Sequence, residues 1–460
     1  MSKLLPLCIL LLAASTALSA QTYTVLHNFR NVSGEPNPDF FGRIAQSRGG
    51  AMLTTSRDAY QDYLLGKAFR VWTDGTLQVL HQFDPVFGNE PESGFTLAID
   101  GQYYGTTVSG GAFGYGTIFK MSQNGTVTKL YDFTGGSDGA NPYAAPIQSV
   151  EGDFYGTSQG CCSNYGSVYR ITKYGNFTLL HAFTNADGRN PFAELVQGTN
   201  YYFYGMTMDG GAGGNGTIYR VSSTGDFKVL VNFWGTNGSH PSHGLIQASD
   251  GNFYGVTGWG GSSHNGVLFR MKPDGSLKVL HNFTGGTDGG RPIGSLVQGS
   301  DGNLYGTNTL GGRADGTGFG VIFRATLAGD VVPLYAFSVN PATGVNTICP
   351  LLQHTNGKLY GETNAGGAYG LGGFYSLDAG LPPFVTYLPT YGRVGALVQI
   401  LGQGFTGASE VFFNGTPATY KLVYPTYIRA TVPDAATTGP ITVTTTNGTL
   451  TSNKLFIVHP

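Results

Sequence analysis

Apolar and polar positions alternate in short runs along most of the chain, and each run ends at an Asp-Gly or glycine-rich turn. Around residue 250 the pattern resolves into four such runs. Residues 245–249 are short and apolar and are followed by Asp250-Gly251; residues 252–257 carry Phe253-Tyr254-Gly255. A glycine-rich loop over 258–265 leads to a third run at 266–271, and Pro273-Asp274-Gly275 turns into a fourth at 276–283. Period-2 alternation bounded by turn residues predicts four antiparallel strands.

The unit recurs. An L-x-x-F ending falls at Phe29, Phe83, Phe133, Phe183, Phe233, Phe283 and Phe337. Tyr-Gly follows in phase at Tyr104, Tyr155, Tyr204, Tyr254, Tyr305 and Tyr360, with a degenerate copy at 52–55. A fixed period of about 50 residues marks a repeat architecture, and four strands per unit in radial array is the β-propeller. The phase adds a closure. Residues 22–29 form a fourth strand with no first three before it, whereas the last copy has strands at 349–354, 358–363 and 372–377 and lacks a fourth. If the first strand completes the last blade, the fold is an all-β, seven-bladed propeller over 21–380.

The consensus resembles the GloVer tandem repeat of secreted bacterial proteins through Asp301-Gly302-Asn303-Leu304-Tyr305-Gly306-Thr307, Gly311-Gly312 and Val321-Ile322-Phe323-Arg324. The resemblance implies a fold and an exported address, and no activity. Kelch repeats share the period and a double glycine, but their tyrosine-tryptophan pair is missing. Composition shifts at Leu381-Pro382-Pro383, and residues 381–460 resemble an IPT/TIG domain, a small immunoglobulin-like β-sandwich. Gly395, Val398, Ile400, Gly402, Gly404 and Phe405 carry that likeness, with Val411, Phe413, Asn414, Gly415 and the run from Ile428 to Pro433. The resemblance implies a spacer or protein-contact module.

Only 11% of the 460 residues are charged and the formal net charge is -2, so there is no basic footprint for nucleic acid. Lys3, an apolar run over 4–12 and Ala17-Leu18-Ser19-Ala20 have the order of a signal peptide over 1–20. The expected location is therefore secreted, extracellular or periplasmic, with no membrane-spanning segment after the signal. Three cysteines remain beyond it: Cys161 and Cys162, adjacent and able to form a vicinal disulfide, and Cys349.

Most chemical motifs dissolve into the repeat. Residues 211–216 fit G-x-G-x-x-G but precede a strand, where no helix N-terminus would hold a phosphate. Asp138, Asp187 and Asp288 each precede Gly and read as turn residues on separate blades rather than as a calcium ring. The phased tyrosines read as inter-blade packing, and His27, His81, His181 and His281 as blade-edge packing. No metal or cofactor is expected, and neither H-E-x-x-H nor G-x-S-x-G occurs.

Departures from the repeat are where function should lie. Trp234, His240, His243, Trp259 and His264 hold two of the chain's three tryptophans and three of its nine histidines. Tryptophan faces suit sugar rings, and histidine is an adjustable hydrogen-bond partner. Turns between first and second strands, and between third and fourth, are short. The loops of the other face are long and variable, and this cluster maps to them. The expectation is a secreted, non-enzymatic binding or scaffold protein that meets an extracellular carbohydrate or protein on its loop-rich face. The alternatives are an enzyme acting on an extracellular polysaccharide (hydrolase or lyase), with carboxylates from several blades at the channel, or a structural envelope or matrix component.

Overall fold

A computed structural model of the chain describes residues 21–459, except 33, 37–41, 59–64, 162–163, 339–342 and 348. The expected signal peptide lies outside the described residues. So does Cys162, and with it the Cys161–Cys162 pairing.

Seven antiparallel sheets are arranged as blades, six of them built from consecutive strands. The first six occupy residues 45–82, 96–132, 147–182, 196–232, 246–282 and 297–336. Blade 5 is typical: Ile246–Gln247, Phe253–Thr257, Val267–Met271 and Leu277–Asn282 pair in that order. In blade 7, Leu352–Gln353, Leu359–Ala365 and Gly373–Asp378 take their fourth strand from Thr22–Asn28 at the other end of the chain. That strand pairs antiparallel from Thr22 with Asp378 to Asn28 with Gly373, with a bulge between Val25 and His27. Tyr23 anchors it, stacking on Tyr335 of blade 6 with ring centroids 4.1 Å apart and donating to Thr343 O at 2.6 Å. The propeller is closed by its N-terminal strand.

The repeated residues have packing reasons. In the second strand, Gly255 faces Phe269, and a Cβ on the glycine would come within 2.6 Å of that ring. The same clash would arise between Gly205 and Tyr219. Tyr-Gly therefore recurs because the glycine makes room for a neighbouring aromatic. The tyrosine itself crosses to the next blade: Tyr104 lies 3.7 Å from Phe154, and Tyr155 3.7 Å from Phe203. Its hydroxyl reaches the first turn, as in Tyr254 to Asp250 and Tyr305 to Asp301, both at 2.8 Å.

The phased histidines and aspartates form one device. His181 meets Asp187 at 3.1 Å and His281 meets Asp288 at 3.0 Å, while Tyr131 takes the histidine's place beside Asp138 at 3.1 Å. Each aspartate also accepts from the backbone N–H of Thr184, Thr284 or Thr134. Where Val231 replaces the histidine, Asn237 replaces the acid.

A second device joins neighbouring blades on the short-turn face. Each innermost strand except one ends in glutamine, whose carbonyl accepts from the preceding blade's backbone. Ile99, Val150, Thr199, Ser249, Ser300 and Thr355 donate to Gln148, Gln197, Gln247, Gln298, Gln353 and Gln46 at 2.8–3.0 Å. Between blades 1 and 2 the latch is missing, because Leu97 occupies the glutamine's position. Arg48 fills this gap, donating to Ile99 O at 3.1 Å and to Gln399 of the C-terminal sandwich at 2.9 Å.

The sandwich has one sheet of Thr386–Leu388, Leu397–Leu401, Tyr427–Thr431 and Tyr420–Tyr424, paired in that order. The other runs Thr416–Pro417, Glu410–Phe413, Ile441–Thr445, Gly448–Thr451. Val398, Ile400, Phe413, Ile428, Val443 and Phe456 fill its core. It rests on the short-turn face: Thr426 donates to Arg48 O at 2.7 Å, Gln403 to Thr355 at 2.8 Å, Ser300 to Pro382 O at 3.3 Å, and His459 meets Tyr201 at 3.3 Å.

Candidate binding site on the loop-rich face

With one face covered, the other presents the blade junctions and the long loops between second and third strands. One junction position is unusual in six copies among the described residues. Glu90, Asn141, Asn190, His240, Arg291 and Asn346 all adopt a left-handed backbone with φ between 52 and 56°. Neighbouring blades hold that geometry from both sides: His240 N donates to Asn215 O at 3.0 Å, and His240 O accepts from Gly258 at 3.3 Å. Asparagine, present in three copies, tolerates this region; arginine and glutamate do so less readily. Residues held at such positions against their preference are pointers to function.

Two of these replacements flank an open depression of about 420 Å³, lined by Asn215, Ser239, His240, Trp259 and His264. Trp259 is 43% exposed. Its backbone is fixed by reciprocal hydrogen bonds with Ser239 at 2.9 and 3.1 Å, and Thr257 donates to its carbonyl at 2.8 Å. The Arg291 guanidinium lies 3.6 Å from the centroid of its indole. His264 is itself left-handed, at φ 58°.

The hydrogen-bond chain beneath the depression has a direction. Asn215 donates its amide to Gly213 O at 2.7 Å, so its carbonyl faces Ser239, which donates to it at 3.1 Å. His240 Nδ1 lies in close contact with Ser239 Oγ. His240 Nε2 stands 3.3 Å from Asp209, which also accepts from Asn190 at 2.8 Å. The ring is thus fixed at both nitrogens.

The five sequence-selected residues separate. Trp259, His240 and His264 share the depression; Trp234, 59% exposed, stands on the adjoining loop. His243 is elsewhere, buried in the central channel beside Arg43 and Glu194 around a cavity of about 20 Å³, room for one water. Burial pushes its imidazole down to about 4, with the Glu194 carboxylate opposing. Ser295 donates to Glu194 at 2.8 Å. Among the described residues, no three His, Cys, Asp or Glu side chains cluster as metal ligands would.

Arg291 and Asp209 were not singled out in the sequence. The signal existed: Glu90, Asn141, Asn190, His240 and Arg291 each precede a proline at the same phase, and three of the five break the asparagine pattern.

Fold and face together define a rigid, closed propeller with one variable surface and an immunoglobulin-like cap. The Gloeobacter/Verrucomicrobia repeat model matches residues 15–219 and 195–416, and the IPT/TIG domain model matches 382–458. The chain belongs to the Gloeobacter/Verrucomicrobia repeat family and carries a C-terminal IPT/TIG domain. No curated protein matches its sequence. Among solved structures, a fungal alcohol oxidase of the AA5 family, in complex with copper, aligns at 14% identity with a TM-score of 0.53, covering 96% of this chain and 100% of that one. A gluconolactonase from Xanthomonas campestris aligns at 14% identity and a TM-score of 0.42, covering 63% and 88%. At such identities the likeness is one of fold alone.

Proposed function

We propose that the protein is a secreted, non-enzymatic binding or scaffold protein that recognises an extracellular carbohydrate or protein surface through the loop-rich face. The observation that carries this reading is the depression around Trp259: an exposed indole on a fixed backbone, with two histidines beside it. Other exposed aromatics on the blade junctions and long loops, Phe87, Phe113, Tyr165, Trp234 and Tyr369, add stacking surface. The short-turn face is engaged by the sandwich, which leaves the loop face for a partner. An enzymatic reading has less support, since the channel cavity is too small for a sugar ring and its one lining carboxylate among the described residues, Glu194, is engaged by Ser295.

The test is a glycan array and a protein-capture screen with the mature chain, followed by Trp259→Ala with His264→Ala. The double variant should weaken binding by roughly 1–3 kcal/mol, as loss of an aromatic anchor does. Unchanged affinity, with loss instead on altering the Asp250 and Asp274 turns, would sink the proposal.

A further inference from the structure

The depression has a charge preference as well as an aromatic floor. Among the described residues no carboxylate pairs with the Arg291 guanidinium, which lies on the Trp259 ring. The nearby acids are engaged: Asp209 by His240 and Asn190, and Asp288 by His281 and the backbone of Thr284. Arg291 also stands where three copies keep asparagine, in a left-handed backbone fixed by its own N–H donating to Asn265 O at 2.8 Å. A long cationic side chain thus stands at a position that disfavours it, laid over a half-exposed indole with no counter-charge paired to it among the described residues.

Such a pair suits one ligand chemistry. A guanidinium laid flat on the indole turns its N–H edges outward, where two parallel donors take a carboxylate, and the part of the indole it leaves exposed takes the sugar ring that carries it. His264 and the fixed His240 supply further polar contacts across the opening. We infer that the Trp259–Arg291 site binds a carboxylated saccharide, a uronate residue within an acidic polysaccharide. This rests on the binding role proposed above and names its ligand class.

The experiment compares oligogalacturonate with its methyl ester, which keeps the ring and removes the charge, against the full mature chain at low salt. Both are read beside an array of neutral, carboxylated and sulfated glycans. The wild-type chain should bind the acid about tenfold or more tightly than the ester, the range of one charge-assisted contact. Arg291→Asn, which restores the residue of the other copies, should abolish that preference with an unchanged or higher melting temperature. Trp259→Ala should weaken both ligands. Equal binding of acid and ester, or a preference that survives Arg291→Asn, overturns the uronate assignment. Binding confined to neutral or sulfated glycans overturns it too and leaves the binding role standing. Binding to no glycan overturns it together with the carbohydrate form of that role.

Discussion

The two faces of the propeller are built from the same repeats and treat them in opposite ways. On the short-turn face, six of seven junctions use the same glutamine latch, and the seventh is replaced by Arg48 and covered by the sandwich. On the loop face, the matching junction position changes from copy to copy through asparagine, glutamate, histidine and arginine while its backbone stays in one conformation. The difference shows how a pseudo-symmetric ring separates tasks. Where variation would break blade-to-blade contact the residue is fixed, and where backbone hydrogen bonds hold the junction the side chain varies.

Removing what both faces depend on should erase the contrast. Deleting Thr22–Asn28 strips blade 7 of its fourth strand and opens the ring. The melting temperature should fall by about 10 °C or more, equivalent to several kcal/mol for a domain of this size. A melting temperature equal to the parent's would remove closure as a source of stability.

Blade 7 also holds an exception in its interior. Glu362 sits where other blades have Thr106, Thr157 or Thr307, buried, with one oxygen accepting from Cys349 at 3.3 Å and the other without a partner. Burial pushes its carboxyl up from 4.5 to about 8. The folded state therefore keeps a proton that the unfolded chain releases, so this contribution to stability is full below pH 4.5 and is lost as pH rises to about 8. The limiting slope is about 1.4 kcal/mol per pH unit. Below pH 6.5 the buried neutral His243 acts in the opposite direction, so the loss should be clearest between pH 6.5 and 8. Glu362→Gln should flatten denaturant-derived stability across that interval; an unchanged slope would contradict the assignment.

Arg48→Ala tests the covered face alone. It removes charge-assisted bonds to Gln399 and Ile99 and should cost roughly 1–3 kcal/mol. Limited proteolysis of the linker near Pro382 should speed up while ligand affinity on the loop face holds. Coupled loss of affinity would show that the faces are not independent. The smallest effect belongs to the open face. His240→Asn restores the repeat residue and should change stability by about 1 kcal/mol or less, toward stabilisation, because it relieves a side chain held at positive φ. A marked destabilisation would mean that the Ser239–His240–Asp209 chain is part of the scaffold.

Most of the fold was legible because packing repeats itself: the Tyr-Gly pairs, the L-x-x-F endings and the orphan first strand each recur or fail at a fixed phase. The glutamines were equally legible and went unread, since a polar residue ending a two-residue strand gives no hydrophobic signal. His243 misled for a related reason. It lies three residues from His240 yet points into the channel, where first-strand approach segments converge. The Arg48–Gln399 contact had no signature at all, because it joins two modules far apart in the chain at a latch identified by what it lacks.

The closing strand finally sets a timetable. Thr22 precedes every blade and its partner Asp378 closes the third strand of the last, so the contact that shuts the ring must wait for every blade between. Pairings so distant in sequence are slow to form. Once made, this one has to be peeled away before any blade can leave its neighbours, which places the protein's endurance in a rate of opening more than in an equilibrium. In the secreted role proposed above, where nothing refolds the chain, lifetime is the relevant measure.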